Sequence, residues 1–145
     1  MSAKRHQVFL SYATKDRKWV SQVAVALTEL GVASTFDEGT PETRAQVNLL
    51  KDLRAGVEQS TLFVLFLSQN ALRSPWITFE VGLARGLNVP VILVTRGEIS
   101  VPHPLSQFHI IVEPSPKRLA RRLELALASL HSKGAAADPL RAPER

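Results

Sequence analysis

Short apolar runs alternate with amphipathic segments from one end of this chain to the other, and that alternation limits its fold more than any other feature. Gln7-Val8-Phe9-Leu10-Ser11 reads as a first strand buried on both faces. Lys15 to Leu30 sets Trp19, Val20, Val23, Leu27 and Leu30 at three- and four-residue spacing, the pattern of a helix with one apolar face. Gly31 follows, where a left-handed backbone can end the helix. Val32 to Phe36 is a short second strand, and Asp37 to Gln46 is a polar loop holding Gly39 and Pro41. Val47 to Ser60 reads as a second helix with Leu50, Leu53 and Val57 turned inward. Thr61 to Leu67 is an unbroken apolar run, as expected of a central strand covered on both sides. Ser74-Pro75 opens a third helix, with Ser in the capping position and Pro at the first helical one, and the pattern runs to Leu87. Pro90 to Val94 and Phe108 to Val112 are the fourth and fifth strands, and Pro116 to His131 is the last helix, with Leu119, Leu123, Ala126, Leu127 and Leu130 as its apolar stripe.

Strand–helix alternation repeated in this way implies an α/β chain with a doubly wound parallel sheet. Right-handed crossovers place helices on both faces. Five strands favour the flavodoxin-like order 2-1-3-4-5. Residues 1–132 are expected to form one domain, and residues 133–145, rich in Ala, Pro and charge, a flexible tail or linker. In such sheets ligands bind beyond the carboxyl ends of the strands, near the switch point between strands one and three. That directs attention to Ser11 to Asp16, Asp37 to Gln46 and Ser68 to Trp76.

Composition removes several function classes. With no cysteine among 145 residues, the chain has no disulfide framework, thiolate nucleophile or cysteine metal site, which fits a reducing, cytoplasmic location. No apolar run approaches the ~20 residues of a membrane helix. The net charge of +5 comes in part from Lys117-Arg118 and Arg121-Arg122, on one helix, where a charge run is ordinarily a solvated face. Nucleic acid is not the expected partner of this domain alone. The turn after strand one, Ser11-Tyr12-Ala13-Thr14-Lys15-Asp16, lacks a dinucleotide glycine fingerprint, and there is no phosphate-binding loop. Leu67-Ser68 stands where a phospho-acceptor domain needs aspartate, there is no hydrolase elbow, and none of the four histidines is spaced for a metal.

The informative stretch is Ser74-Pro75-Trp76-Ile77-Thr78-Phe79-Glu80. With Ser74 as the cap, Trp76 and Glu80 lie one turn apart on one face, and Phe79 and Leu83 are expected to face the core beside Val64 and Phe66. Glu80 falls in the second turn, where the helix dipole favours the ionised form. An ionised carboxylate is suited to stabilising a cation rather than to donating a proton. That fits cleavage of an N-glycosidic bond to a positively charged base. Nicotinamide on ribose leaves as a neutral molecule, so no general acid is needed, whereas O-glycosidases require a second carboxyl to protonate the leaving oxygen. The remaining ribose cation needs one carboxylate close by. Trp76 can wall a planar base. The pair alone also fits a packed Trp and an exposed Glu.

Taken in order, these segments resemble the Toll/interleukin-1 receptor (TIR) domain family, bacterial type. Val8-Phe9-Leu10-Ser11-Tyr12-Ala13 with Asp16 resembles its first-strand motif. Phe36-Asp37 and the loop after it resemble the second strand and BB loop. Ser60, the strand Thr61 to Leu67 and Ser68-Gln69-Asn70 resemble the third strand and its exit, and Trp76 with Glu80 the Ser-x-Trp-x-x-x-Glu stretch. The resemblance spans residues 6–131. It implies an enzyme that cleaves the nicotinamide–ribose bond of NAD+ (an NAD+ glycohydrolase or ADP-ribosyl cyclase), acting in bacterial anti-phage defence signalling. NAD+ is then the substrate and no cofactor is required. It implies Glu80 as the catalytic residue, and Ser11, Tyr12, Asp37, Thr40 and Trp76 as substrate-binding residues. It also implies self-association or pairing with other TIR domains. Where some enzymatic members carry arginine after the first-strand Tyr, this chain has Ala13-Thr14, leaving Lys15, Arg17 or Arg44 as the nearby cations. Two alternatives stand beside the enzyme: a non-catalytic TIR interaction or adaptor module, and a nucleoside deoxyribosyltransferase-like enzyme.

Overall fold

A computed structural model of the protein describes residues 7–36 and 46–133. Five parallel strands form one sheet in the order β2-β1-β3-β4-β5, the order expected from the alternation. They are β1 (Gln7–Ser11), β2 (Ala33–Phe36), β3 (Leu62–Phe66), β4 (Val91–Thr95) and β5 (His109–Val112). The helices are α1 (Arg17–Glu29), α2 (Gln46–Glu58), α3 (Gln69–Leu72), α4 (Pro75–Gly86) and α5 (Pro116–Lys133). Each strand lies within a residue or two of its expected limits. Three pieces were not expected: the four-residue α3, a 3-10 turn over Thr14–Asp16 that starts α1 two residues later than the periodicity suggests, and a second 3-10 turn over Leu105–Gln107 before β5. Apart from Lys133, which ends α5, the expected tail at 133–145 lies outside the described residues.

Every residue of β3 and β4 is buried, because helices cover the sheet on both sides. One core, under α1 and α5, takes Val8, Leu10, Val64, Phe66, Ile92 and Val94 from the sheet. The other, under α2 and α4, takes Phe9, Phe63, Leu65 and Leu93. Alternate residues of a strand point to opposite faces, so these two sets interleave along each strand. Phe9 and Phe63 stack at 5.4 Å between ring centroids, and Trp19 meets Phe66 edge-on at 4.9 Å.

The helix ends follow from residues that tolerate special backbone conformations. Gly31 has φ of 77°, its amide donates to Thr28 and the Val32 amide donates to Leu27, a double closure of the α1 carbonyls. Asn88, at φ 59°, closes α4 in the same way through Arg85 and Ala84. At the start of α5, the Ser115 hydroxyl accepts the Arg118 amide, as a capping Ser should. Ser74 holds the matching position on α4, ahead of Pro75, but its side chain makes no capping bond.

One expectation about α4 needs correction. Phe79 does not face the core; it is 45% exposed and stacks on Trp76. The inward face of α4 carries Ile77, Val81 and Ala84, and at about 100° per residue Phe79 lies about 200° around from Ile77. The sheet face beneath is also the other one. Leu83 packs in the core of Phe63 and Leu65, whereas Val64 and Phe66 point towards α1 and α5.

Two predictions follow from this packing. Phe63 is fully buried, so Phe63→Ala should lower unfolding free energy in urea by about 3–5 kcal/mol, a large share of the ~5–15 kcal/mol typical of a domain. The second concerns Glu113, which ties β5 to α5. The Ser115 amide donates to it, Arg118 donates to it at 3.2 Å, and Arg122 lies 3.8 Å away. The Ser115 amide first, and then the two arginines, hold its carboxyl below the ordinary 4.5. A depressed carboxylate stabilises the fold fully above its unfolded pKa and loses that effect as pH falls through the folded one. The difference in melting temperature between wild type and Glu113→Gln should therefore be present at neutral pH and shrink steadily below 4.5.

Candidate functional site

The parallel topology gathers the strand exits and the N-termini of the following helices along one edge of the sheet. Ser11 is the last residue of β1 and pairs with Leu65 in β3. Its side chain points to the α2–α4 face, by alternation from Phe9. Glu80 is the sixth residue of α4. Ile77, Val81 and Ala84 press that helix onto the sheet, which brings Glu80 against the exit of β1. The Ser11 hydroxyl donates to Glu80 Oε1 at 3.1 Å. Both groups are buried, at 1% and 4% exposure. The packed-Trp, exposed-Glu alternative is therefore wrong in its second half: the glutamate is the more buried of the two.

Trp76, one turn earlier, is half-buried against the α2–α4 core. Its ring lies nearly parallel to that of Phe79, 5.1 Å away at 18°. Tyr12 follows Ser11 and so points to the opposite face, where it packs against the α1–α5 core and meets Phe36 edge-on at 5.9 Å. Asp37, Thr40 and Arg44 lie outside the described residues. Lys15 and Arg17 are exposed at the start of the first crossover. Thus the structure joins Ser11 to Glu80, keeps Trp76 on the same helix, and sets Tyr12 on the other side of the sheet.

A second cluster, not assigned a role from the sequence, occupies the same edge. Asp16 is 4% exposed. It accepts the Ser68 hydroxyl, and the Asn70 side-chain amide at 3.5 Å, and faces Arg96 at 3.9 Å. Arg96 lies over the Trp19 ring, 4.5 Å from its centroid. Asp16 and Ser68-Gln69-Asn70 were visible as pieces of the resemblance. Their union was not, since 52 and 54 residues separate the partners.

Two grooves among the described residues lie away from Glu80. One, of about 540 Å³, runs between α1 and the start of α5; the other, of about 490 Å³, lies beside β5. Among the described residues no three His, Asp or Glu side chains come together to hold a metal ion, and no helix is long and apolar enough to cross a membrane.

If the Ser11–Glu80 contact is a bond to an ionised carboxylate, a double-mutant cycle of Ser11→Ala and Glu80→Gln should give a coupling energy of about 1.5–3 kcal/mol in urea unfolding. Additive losses would show that the two side chains are merely neighbours.

The family model described as "TIR domain" matches residues 8–126. No curated protein sequence matches significantly. Among solved structures, the TIR domain of the Toll-related receptor TRR-2 of Hydra magnipapillata superposes with a TM-score of 0.66 at 17% identity, covering 83% of this chain and 97% of that one. The Clostridium botulinum CMP N-glycosidase BcmB gives 0.60 at 19% identity, over 81% of this chain and 98% of that one. The TIR domains of the activated Roq1 resistosome give 0.55 at 19% identity, over 89% and 76%. At these identities the likeness is one of fold.

Proposed function

Since the chain belongs to the TIR domain family, we propose that it is an NAD+ glycohydrolase or ADP-ribosyl cyclase with Glu80 as its catalytic residue, acting in bacterial defence signalling. The observation that carries this reading is a carboxylate at the carboxyl edge of the sheet, in the second turn of α4, held by the Ser11 hydroxyl at 3.1 Å. The bond from ribose C1′ to the pyridinium nitrogen breaks, and its electron pair passes to that nitrogen. Nicotinamide leaves neutral. The ribose cation develops against Glu80, whose charge stabilises it and whose carboxylate oxygens accept from ribose hydroxyls. Water then bonds to C1′ and loses a proton to solvent, giving ADP-ribose; attack by an adenine nitrogen of the same molecule gives a cyclic product. Trp76 supplies an aromatic wall, and Ser11 orients the carboxylate. Tyr12, Asp37 and Thr40 belong to the substrate-binding set implied by the family resemblance.

Glu80 is only 4% exposed, so substrate reaches it only when neighbouring groups move. Assembly of several copies is the natural source of that movement, and the solved Roq1 structure shows TIR domains within an activated assembly. The BcmB neighbour is named as an N-glycosidase, the same bond class with another base, so CMP belongs in the substrate panel.

A second reading has its own support. A glutamate this buried and already bonded is also what a non-catalytic TIR module would carry as a structural residue, with self-association or docking to other TIR domains as its function. The two readings separate in one experiment. Concentrated protein, with and without a crowding agent, is incubated with NAD+ or CMP and the products are identified by mass spectrometry. Nicotinamide release by wild type, reduced by a factor on the order of 1,000 or more in Glu80→Gln with an unchanged circular dichroism spectrum, is the expected result. Equal release by the mutant, or none by wild type under any assembling condition, leaves the docking module.

A further inference from the structure

Asp16 is a buried carboxylate that the chemistry proposed for Glu80 does not use. It follows Ser11 by five residues, within the first connection out of the sheet. A carboxylate withdrawn from water is costly unless its oxygens are satisfied. Here one oxygen takes the Ser68 hydroxyl, and the other takes the Asn70 amide at 3.5 Å and faces Arg96 at 3.9 Å. Arg96 is steadied by the Trp19 ring, while about half of its side chain stays in solvent. Three connections leaving the same sheet edge, after β1, β3 and β4, therefore meet on one side chain.

The effect of this junction extends to Glu80. Ser68 caps α3: it accepts the Ala71 amide at 3.0 Å while its own proton goes to Asp16. From α3 the chain enters α4 at once, through the Ser74 amide bonded to the Ala71 carbonyl at 3.1 Å. The Ser11–Glu80 contact thus has two supports. One is β1, which carries Ser11 and leads to Asp16. The other is the α3–α4 unit, which carries Glu80 and begins at Ser68. The Asp16–Ser68 bond joins the two supports on the α1 side of the sheet, whereas Ser11 and Glu80 meet on the α4 side.

We infer that Asp16 is a positioning residue: it pins the start of the α3–α4 unit to the exit of β1, so that α4 presents the Glu80 carboxylate at the distance the site requires. This rests on the reading of Glu80 as the reacting group, but its structural half can be tested without activity.

Asp16→Asn keeps the size of the side chain and turns one acceptor oxygen into an NH2 facing a donor. Ser68→Ala is the milder companion, removing the same bond from the other side. In both variants kcat for nicotinamide release should fall, on the order of 100-fold for Asp16→Asn, with KM within about twofold, because substrate contacts are kept and alignment is lost. Hydrogen exchange at the amides of Phe79 to Gly82 should quicken by about tenfold, while that of Leu119 to Leu127 in α5 stays as in wild type. Unchanged kcat with unchanged exchange in α4 overturns the inference. Equal acceleration in α4 and α5 overturns it too, since that is general loss of stability. If wild type releases no nicotinamide under any condition, the proposed function fails, and the α4-against-α5 exchange alone decides the role of Asp16.

Discussion

Burial of β3 and β4 on both faces is the constraint from which the rest of this structure follows. Neither strand leaves a side chain for solvent, so both faces must be roofed, and parallel strands with crossover helices provide the roofs. Parallel strands all end on one side. Each helix that follows begins there, with its unbonded amides and the positive end of its dipole. One edge of the molecule therefore combines strand exits, helix starts and the connections between them. Ser11, Asp16, Ser68, Glu80 and Arg96 are all found on or beside that edge, because the topology leaves polar chemistry little other place to gather.

At this edge the chain buries two carboxylates, one on each side of the sheet. Ser11, like Phe9, points towards α4, where Glu80 meets it, while Asp16 lies past the strand beside Arg96, which covers Trp19 of the α1–α5 core. Asp16 meets a hydroxyl, an amide and a guanidinium drawn from the exits of two other strands. Glu80 meets the hydroxyl of Ser11. Both contacts are long-range, linking β1 or its exit to the third strand's connection and helix, so both lock the same two parts of the chain together. The two ties hold the connection from β3 to α4 at two points, one at the cap of α3 and one within α4.

Much of this was legible beforehand. The five strands and their order followed from apolar runs and helical spacing, because double burial leaves strands without polar interruption. Glu80 was singled out by where it falls after the Ser74-Pro75 start, while the strand ends pointed only to the stretch Ser11 to Asp16 and the family resemblance named Ser11 within it. Phe79 was misplaced for a definite reason. α4 is apolar around much of its girth: Ile77, Val81 and Ala84 face inward, Trp76 and Leu83 border the same core and Phe79 turns outward, and spacing alone does not say which arc meets the sheet. α3 was missed because four residues are too few for a period to show. The Asp16 cluster was missed because its members are far apart in sequence, and only the folded sheet brings them together. The expected contributions of Asp37 and Thr40 lie outside the described residues.

The exposed side of α4 bears on how such a site can work. Phe79 is 45% exposed and lies flat against Trp76, so the outer flank of the helix is an aromatic surface one turn from a buried carboxylate. A stacked pair of rings gains little from water and can exchange one ring for another planar group at modest cost, since stacking depends on area and offset rather than on a particular partner. The Ser11–Glu80 bond is different. It is directional, and a hydroxyl that replaces Ser11 must match its geometry. On the proposed reading, a planar group can settle against the aromatic flank without first disturbing the carboxylate, whereas a hydroxyl-bearing group must compete with Ser11 for Glu80. On that reading, selection is loose for the flat group, which meets only area and offset, and strict for the hydroxyl donor, which must match a directional bond.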